Sequence, residues 1–339
     1  MSWDAVAQGW GDGLPLIPPT PSRVGEFVDA SGLSGSSSLG EIPPRGASCT
    51  IERVAINAVM AGARPESMPL ICAALAAMLH PAFDLAGTNA TTASVVPAVV
   101  VNGPARDRLD IPYRHAALGG AASHAPAIGR ALRLVMRNVA GQVPGQTSES
   151  VFGQPGRVAG IVVGEWEERS PWPPLAERRG VSGDAVTVFG TLGTCNIADM
   201  TAESGRQLLQ VIGRSLAYMG NNNFQAASTY AEQMVAINPI WANDVIARDV
   251  PSFDDVRELI WEHARIPIDW FPSELRAGIE ERGRIDAHQR VFLMDSPEDL
   301  LVFVCGGTGN LHAAMLPGFS HSESVTRAIA ASDITEGEA

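Results

Sequence analysis

The chain has 339 residues, 45% hydrophobic and 18% charged, a balance that suits one large domain or two joined lobes and excludes a disordered polymer. Its net charge of −13 offers no basic face to a nucleic acid, and no apolar run reaches the ~18–20 residues of a membrane span. All 24 basic residues are arginine, which excludes a pyridoxal or aldolase-type Schiff base, a P-loop ending in Gly-Lys-Ser/Thr and a Ser-Lys dyad; guanidinium or backbone N–H groups must hold any phosphate or carboxylate.

Residues 2–10 are expected as a short helix, followed by Gly11-Asp12-Gly13-Leu14-Pro15-Leu16-Ile17-Pro18-Pro19-Thr20-Pro21. Its four prolines remove donors and fix an extended path, so this stretch reads either as an ordered arm lying over another lobe or subunit, or as a surface linker. A helix over 23–30 and a Gly/Ser-rich loop over 31–40 lead to PRGASCTIERVAINAVMAGARPE, residues 44–66. There Ile51, Val54, Ala55, Ala58 and Val59 make one apolar helical face, a glycine ends it, and Cys49 stands in the N-cap place with Glu52 three residues on. A thiol at the positive end of a helix dipole is a candidate nucleophile, although Glu52 opposes the thiolate and an inert buried cysteine fits the same pattern.

Pro65 or Pro69 opens a second helix running to about Leu79, which completes a helix hairpin. Ser94–Val101 is a valine-rich run of the kind buried on both sides of a sheet, with Pro97 arguing against a central position and Asn102 as a candidate at its C-terminal end. Residues 105–127 are irregular and carry His115 and His124. Helix periodicity returns over Ile128–Ala140, where Arg130, Arg133 and Arg137 line one edge, either as a solvated face or as an anion-binding wall. A Gly/Gln/Pro/Ser loop over 141–157 precedes a strand over 158–163, whose end carries Glu165, Glu167 and Glu168, a carboxylate cluster suited to acid–base work or to a divalent metal with the histidines.

Ala185–Phe189 is expected as a strand and residues 190–196 as its loop, with Cys195 beside Asn196. A long helix from Thr201 to Met219, turn-forming asparagines at 221–223 and a helix over 253–264 follow. The strand Leu300–Val304 runs into Cys305-Gly306-Gly307-Thr308-Gly309-Asn310-Leu311-His312, a glycine-rich bend whose N–H groups can nest an anion. Pro317-Gly318 argues against a long helix after it, and residues 333–339 form an acidic tail.

Three blocks, GDGLPLIPPTP, TIERVAINAVMAGARPE and SPWPPL, together with the closing strand and its GGTG bend, resemble a bacterial family often encoded with, or fused to, small proteins that bear a UGSC (seleno)cysteine motif. The resemblance spans most of residues 9–320 and implies an enzyme or enzyme subunit working with a thiol or selenol partner. The family's cysteine directly after Met-Ala-Gly is replaced here by Ala63.

The fold expected is α/β, a mostly buried mixed or parallel sheet flanked by helices in one body or two intimately packed lobes. Its parts are an arm (1–40), a lobe with the helix hairpin (41–200), a second lobe (201–332) and the tail. The favoured function is a cytoplasmic enzyme acting on a small anionic or carbonyl metabolite by hydrolase- or lyase-type chemistry. Cys49 or Cys305 is its nucleophile, His124 or His312 its base, and Gly306, Gly307 and Gly309 its anion nest. Arg130, Arg133, Asn57 and Asn102 are candidate substrate holders. The lysine-free chain carries no PLP or P-loop nucleotide; a divalent metal and a thiol-redox or structural subunit beside a UGSC-type partner are the alternatives, and a homo-oligomer is expected.

Overall fold

Valine-rich strands and alanine-rich helices build a mixed α/β structure, seen in a computed structural model that describes residues 8–120, 122–225 and 231–330. These residues divide into two compact units interleaved along the chain. The first runs up to Gly164 and takes in Ala176–Gly193 and the stretch from Glu323; the second comprises Glu165–Leu175 and Thr194–Ser322. Three crossings of the chain between residues 164 and 194 and a return at 323 therefore replace the consecutive lobes suggested by the sequence.

In the first unit, helix α1 (Pro21–Ser31) is capped by Thr20 and precedes a hairpin of β1 (Ser38–Ile42) and β2 (Ala47–Thr50), which takes up part of the expected loop. The central helix α2 is Ile51–Ala61, closed by Gly62 in the left-handed conformation. Its N-cap is Thr50, whose hydroxyl accepts from Arg53 N; Cys49 instead belongs to β2. Helix α3 (Met68–Met78) buries every residue but Pro69, as an all-apolar helix inside a large core must. No single helix among the described residues is long and apolar enough to cross a membrane.

The sheet of this unit has the order β12-β5-β3-β4, from β3 (Val96–Asn102), β4 (Ile161–Gly164), β5 (Ala185–Thr191) and β12 (Val325–Ala328). Strand β3 is central, parallel to β4 and antiparallel to β5. Pro97 is tolerated because it is the second residue of the strand: it faces Gly190 of β5, and pairing with β4 begins only at Ala98. Val99, Val101, Val162, Val186 and Val188 share one core with α2, α3 and α4 (Ala125–Asn138).

The second unit carries a sheet of order β10-β7-β11-β6, made of β6 (Cys195–Ala198), β7 (Gln233–Ile237), β10 (Leu300–Val304) and β11 (His312–Leu316), with a separate ladder of β8 (Arg265–Pro267) and β9 (Arg290–Phe292). Strand β6 occupies part of the expected 190–196 loop. Helix α5 (Gly205–Leu216) starts at Ser204 and not Thr201, because Thr201 hydrogen-bonds Asp199 ahead of the helix, and α6 is Phe253–His263. Asn221 and Asn223 are buried, and their amides bind Leu216 O, Gln233, Ala231 O and Leu293 O, which makes them a core network and not left-handed turn residues. Of the helix expected over 2–10, residues 2–7 lie outside the described residues and 8–9 form a turn; the acidic tail also lies outside them.

Candidate functional site

Helix α4 organises the chemistry of the first unit because its polar edge is buried under other chain segments. Arg130 Nε and Nη2 donate to Asp12 Oδ2 and Oδ1 at 2.7 and 2.8 Å, and Nη1 donates to Pro15 O at 3.0 Å. Asn138 Nδ2 donates to Trp10 O at 3.1 Å and to Asn57 Oδ1 at 2.7 Å, while Ile17 N donates to Met60 O at 3.2 Å. The Pro-rich segment is thus an ordered strap across α2 and α4. Arg130 is fully used in holding it, and Asn57, whose Nδ2 also donates to Arg53 O at 2.8 Å, is a satisfied buried amide.

One turn further along α4 the situation reverses. Arg133 is 8% exposed, with Nε donating to Arg157 O at 3.1 Å and Nη2 to Gln142 Oε1. Arg157 donates to Ser148 Oγ at 3.3 Å and Ala93 O at 3.1 Å. All of these acceptors are neutral, and among the described residues no carboxylate pairs with Arg133, Arg137 or Arg157. Arg137 Nε and Arg157 Nε are buried without an acceptor among those residues. A cavity of about 310 Å³ is lined by these three arginines together with Asp12, Gln142 and Ser148; Asp12, the one acid among the described lining residues, is already committed to Arg130.

This arrangement leaves positive charge uncompensated. Burial and the neighbouring Arg157 push Arg133 down to about 9, and burial pushes Arg157 down as well. Arg133 remains cationic near neutrality, so an anion in the cavity would relieve the repulsion between the two and supply acceptors for Arg137 Nε and Arg157 Nε.

Glycines set the register of the cluster. A Cβ on Gly129 would overlap Ala159 O and meet Gly160 Cα at 3.0 Å, and one on Gly160, at φ +65°, would meet Gly129 Cα at 2.7 Å. Backbone therefore touches backbone where α4 crosses the 156–160 turn. Arg133 lies one helical turn after Gly129 and Arg157 three residues before Gly160, so the contact sets one arginine against the other.

The remaining sequence candidates fall elsewhere. Cys49 is wholly buried, and burial, only partly offset by Arg53, pushes its thiol up to about 12, the reverse of the lowering expected at a helix N-cap. Cys72 is raised in the same way, by burial and by Cys49. His124 stands at the entry of α4 with Nε2 3.9 Å from Asp110 Oδ2, and Asn102 is buried at the end of β3. Of the candidates in the first unit, Arg133 alone lines the cavity.

Cys305, Gly306, Gly307, Gly309 and His312 all belong to the second unit. Cys305 is 4% exposed, and burial, with Glu165 adding to it, raises its thiol strongly. The glycine bend leads into β11 and not into a helix, so no helix N-terminus stands behind its N–H groups. His312 opens β11, and its carbonyl accepts from Asn238 Nδ2 at 2.6 Å. Glu165 Oε2 accepts from Leu175 N at 2.7 Å, and among the described residues no group of three or more His, Cys, Asp or Glu side chains is placed to hold a metal ion.

Gln142, Ser148 and Arg157 were not readable as site residues, since each sits in a polar loop with no periodicity. The available signals were the arginine spacing on α4 and the paired glycines at 129 and 160. No protein-family model, curated protein or solved structure matches the chain. The Pro-rich strap meets the central helix where Ile17 N donates to Met60 O, and Asn138 of α4 ties Asn57 of that helix to Trp10 O just ahead of the strap.

Proposed function

We propose that the protein binds a small carboxylate- or phosphate-bearing metabolite in the Arg133–Arg137–Arg157 cavity and acts on it by hydrolase- or lyase-type chemistry, with the guanidiniums holding the anionic group. The observation that carries this reading is the set of three arginines around a cavity of about 310 Å³ whose one acid among the described residues is already paired. That volume lies at the lower end of small-molecule sites, roughly 300–1,000 Å³. Guanidiniums bind carboxylate and phosphate through parallel N–H donors and stabilise charge that develops on oxygen during bond cleavage. Cysteine has no part in the reading, because the raised thiols of Cys49 and Cys305 hold their protons at neutral pH.

The test is a panel of organic carboxylates and phosphate esters, followed by calorimetry for binding and by one-dimensional NMR for turnover. The expected result is a ligand whose affinity falls by about tenfold or more in Arg157→Gln, the loss of one charged hydrogen-bonding group at ~1.5–3 kcal/mol. Turnover of that ligand should fall with it. Binding or turnover that is unchanged in Arg157→Gln would place the function outside this cavity.

A further inference from the structure

We infer that the ligand of this cavity is an aromatic anion, whose ring stacks on Phe152 while its carboxylate or phosphate meets the arginines; this deepens the anion-binding reading and rests on it. Phe152 is 96% exposed and Val151 67% exposed, and both line the mouth of the cavity. Two large apolar side chains left in water side by side, at the rim of a charged cavity, are a surface waiting for an apolar partner.

Their placement is built and not incidental. Val151 N donates to Thr92 O at 3.0 Å, Ser150 and Ser94 share a hydroxyl hydrogen bond at 2.7 Å, and Gln154 Nε2 donates to Ser94 O and, at 3.0 Å, to Leu192 O. The backbone is therefore tied down on both sides of Phe152, and the ring is presented from a fixed base, which lowers the ordering cost of a contact. Leu134 and Val158 add apolar wall to the same cavity.

Size points the same way. A cavity of about 310 Å³ is far larger than a single water or a lone oxyanion needs. The remainder leaves room for an organic group beside the anion. Among the described residues that line the cavity Phe152 is the one aromatic, and an aromatic ring is the partner that an offset or edge-to-face contact with it selects.

The experiment compares phenyl phosphate with methyl phosphate by calorimetry on the full chain, in the wild type, Phe152→Ala and Arg157→Gln. Phe152 is so exposed that its truncation leaves the core untouched. The inference predicts about tenfold tighter binding of phenyl phosphate to the wild type. That preference should vanish in Phe152→Ala, while Arg157→Gln weakens both ligands alike. Equal affinities in the wild type, both reduced by Arg157→Gln, would overturn the aromatic inference and leave the anion site standing. A phenyl preference that survives Phe152→Ala would also overturn it. Absence of binding by either ligand to the wild type would overturn the anion site itself, and the inference with it.

Discussion

Gly129→Ala tests whether the glycine contact builds the arginine cluster. In an open helical position this change stabilises by up to ~1 kcal/mol, because alanine is the better helix former. At 129 the new methyl has nowhere to go: it overlaps Ala159 O and meets Gly160 Cα at 3.0 Å, both rigid backbone atoms. Overpacking of this kind is destabilising by about 1–3 kcal/mol, so the net effect is a loss of roughly 0–2 kcal/mol against the helix gain. Displacing the 156–160 turn also breaks the Arg133 Nε to Arg157 O bond at 3.1 Å and spreads the guanidiniums, so anion affinity should fall by at least tenfold. Urea denaturation reads the first effect and calorimetric anion titration the second. Gly25→Ala in α1 is the control: nothing lies within 4 Å of its new methyl, and it should be neutral or stabilising. A Gly129→Ala protein that gains stability like Gly25→Ala and keeps its anion affinity would refute the reasoning.

Other consequences follow from the same contacts. Iodoacetamide at pH 8 should label the exposed Cys195 in the folded protein and reach Cys49, Cys72 and Cys305 only after denaturation; rapid labelling of folded Cys49 would restore it as a nucleophile. For Asp12, burial acts to raise the carboxyl, but the hydrogen bonds from Arg130 and Leu14 N and the Arg130 charge outweigh it and hold the group below its ordinary value of 3.8. Because the folded value is the lower one, the stabilisation is complete above that pH and is lost as pH falls through the folded value. Asp12→Asn should therefore lose roughly 1.5–3 kcal/mol at pH 7, the scale of a charge-assisted hydrogen bond in a partly buried pair, and should show a flatter stability profile below pH 4 than the wild type; parallel profiles would detach the strap from Asp12. Selenate affinity should be level from pH 6 to 8 and fall above about 9, where Arg133 gives up its proton in the free protein, since the anion binds the cationic form. Affinity that stays level to pH 10.5 would exclude Arg133 as a ligand.

Periodic, apolar parts of the fold were legible because one residue type decides them. The stripe from Ile51 to Val59, the valines of β3 and the run Leu300–Val304 could be placed from sequence, the last to the residue. Parts that depend on pairing were not. Strands β1, β6 and β11 are short and half exposed, and only their ladder partners make them strands. The Cys49 reading failed on one residue of register: Thr50 takes the cap, and the preceding position turns into the core. On α4, spacing placed three arginines on one edge but could not tell that Asp12, more than a hundred residues away, neutralises Arg130, while Arg133 and Arg137 have no carboxylate partner among the described residues. Arg157 enters by a glycine-to-glycine crossing, which no helical period announces.

The most direct measurement of the central claim is an anomalous-diffraction map of crystals soaked in selenate. A peak inside the cavity, within about 3.5 Å of Arg137 Nε and Arg157 Nε, is the result expected from the two unsatisfied donors. Selenate peaks at other places on the protein, with none between these three arginines, would contradict it.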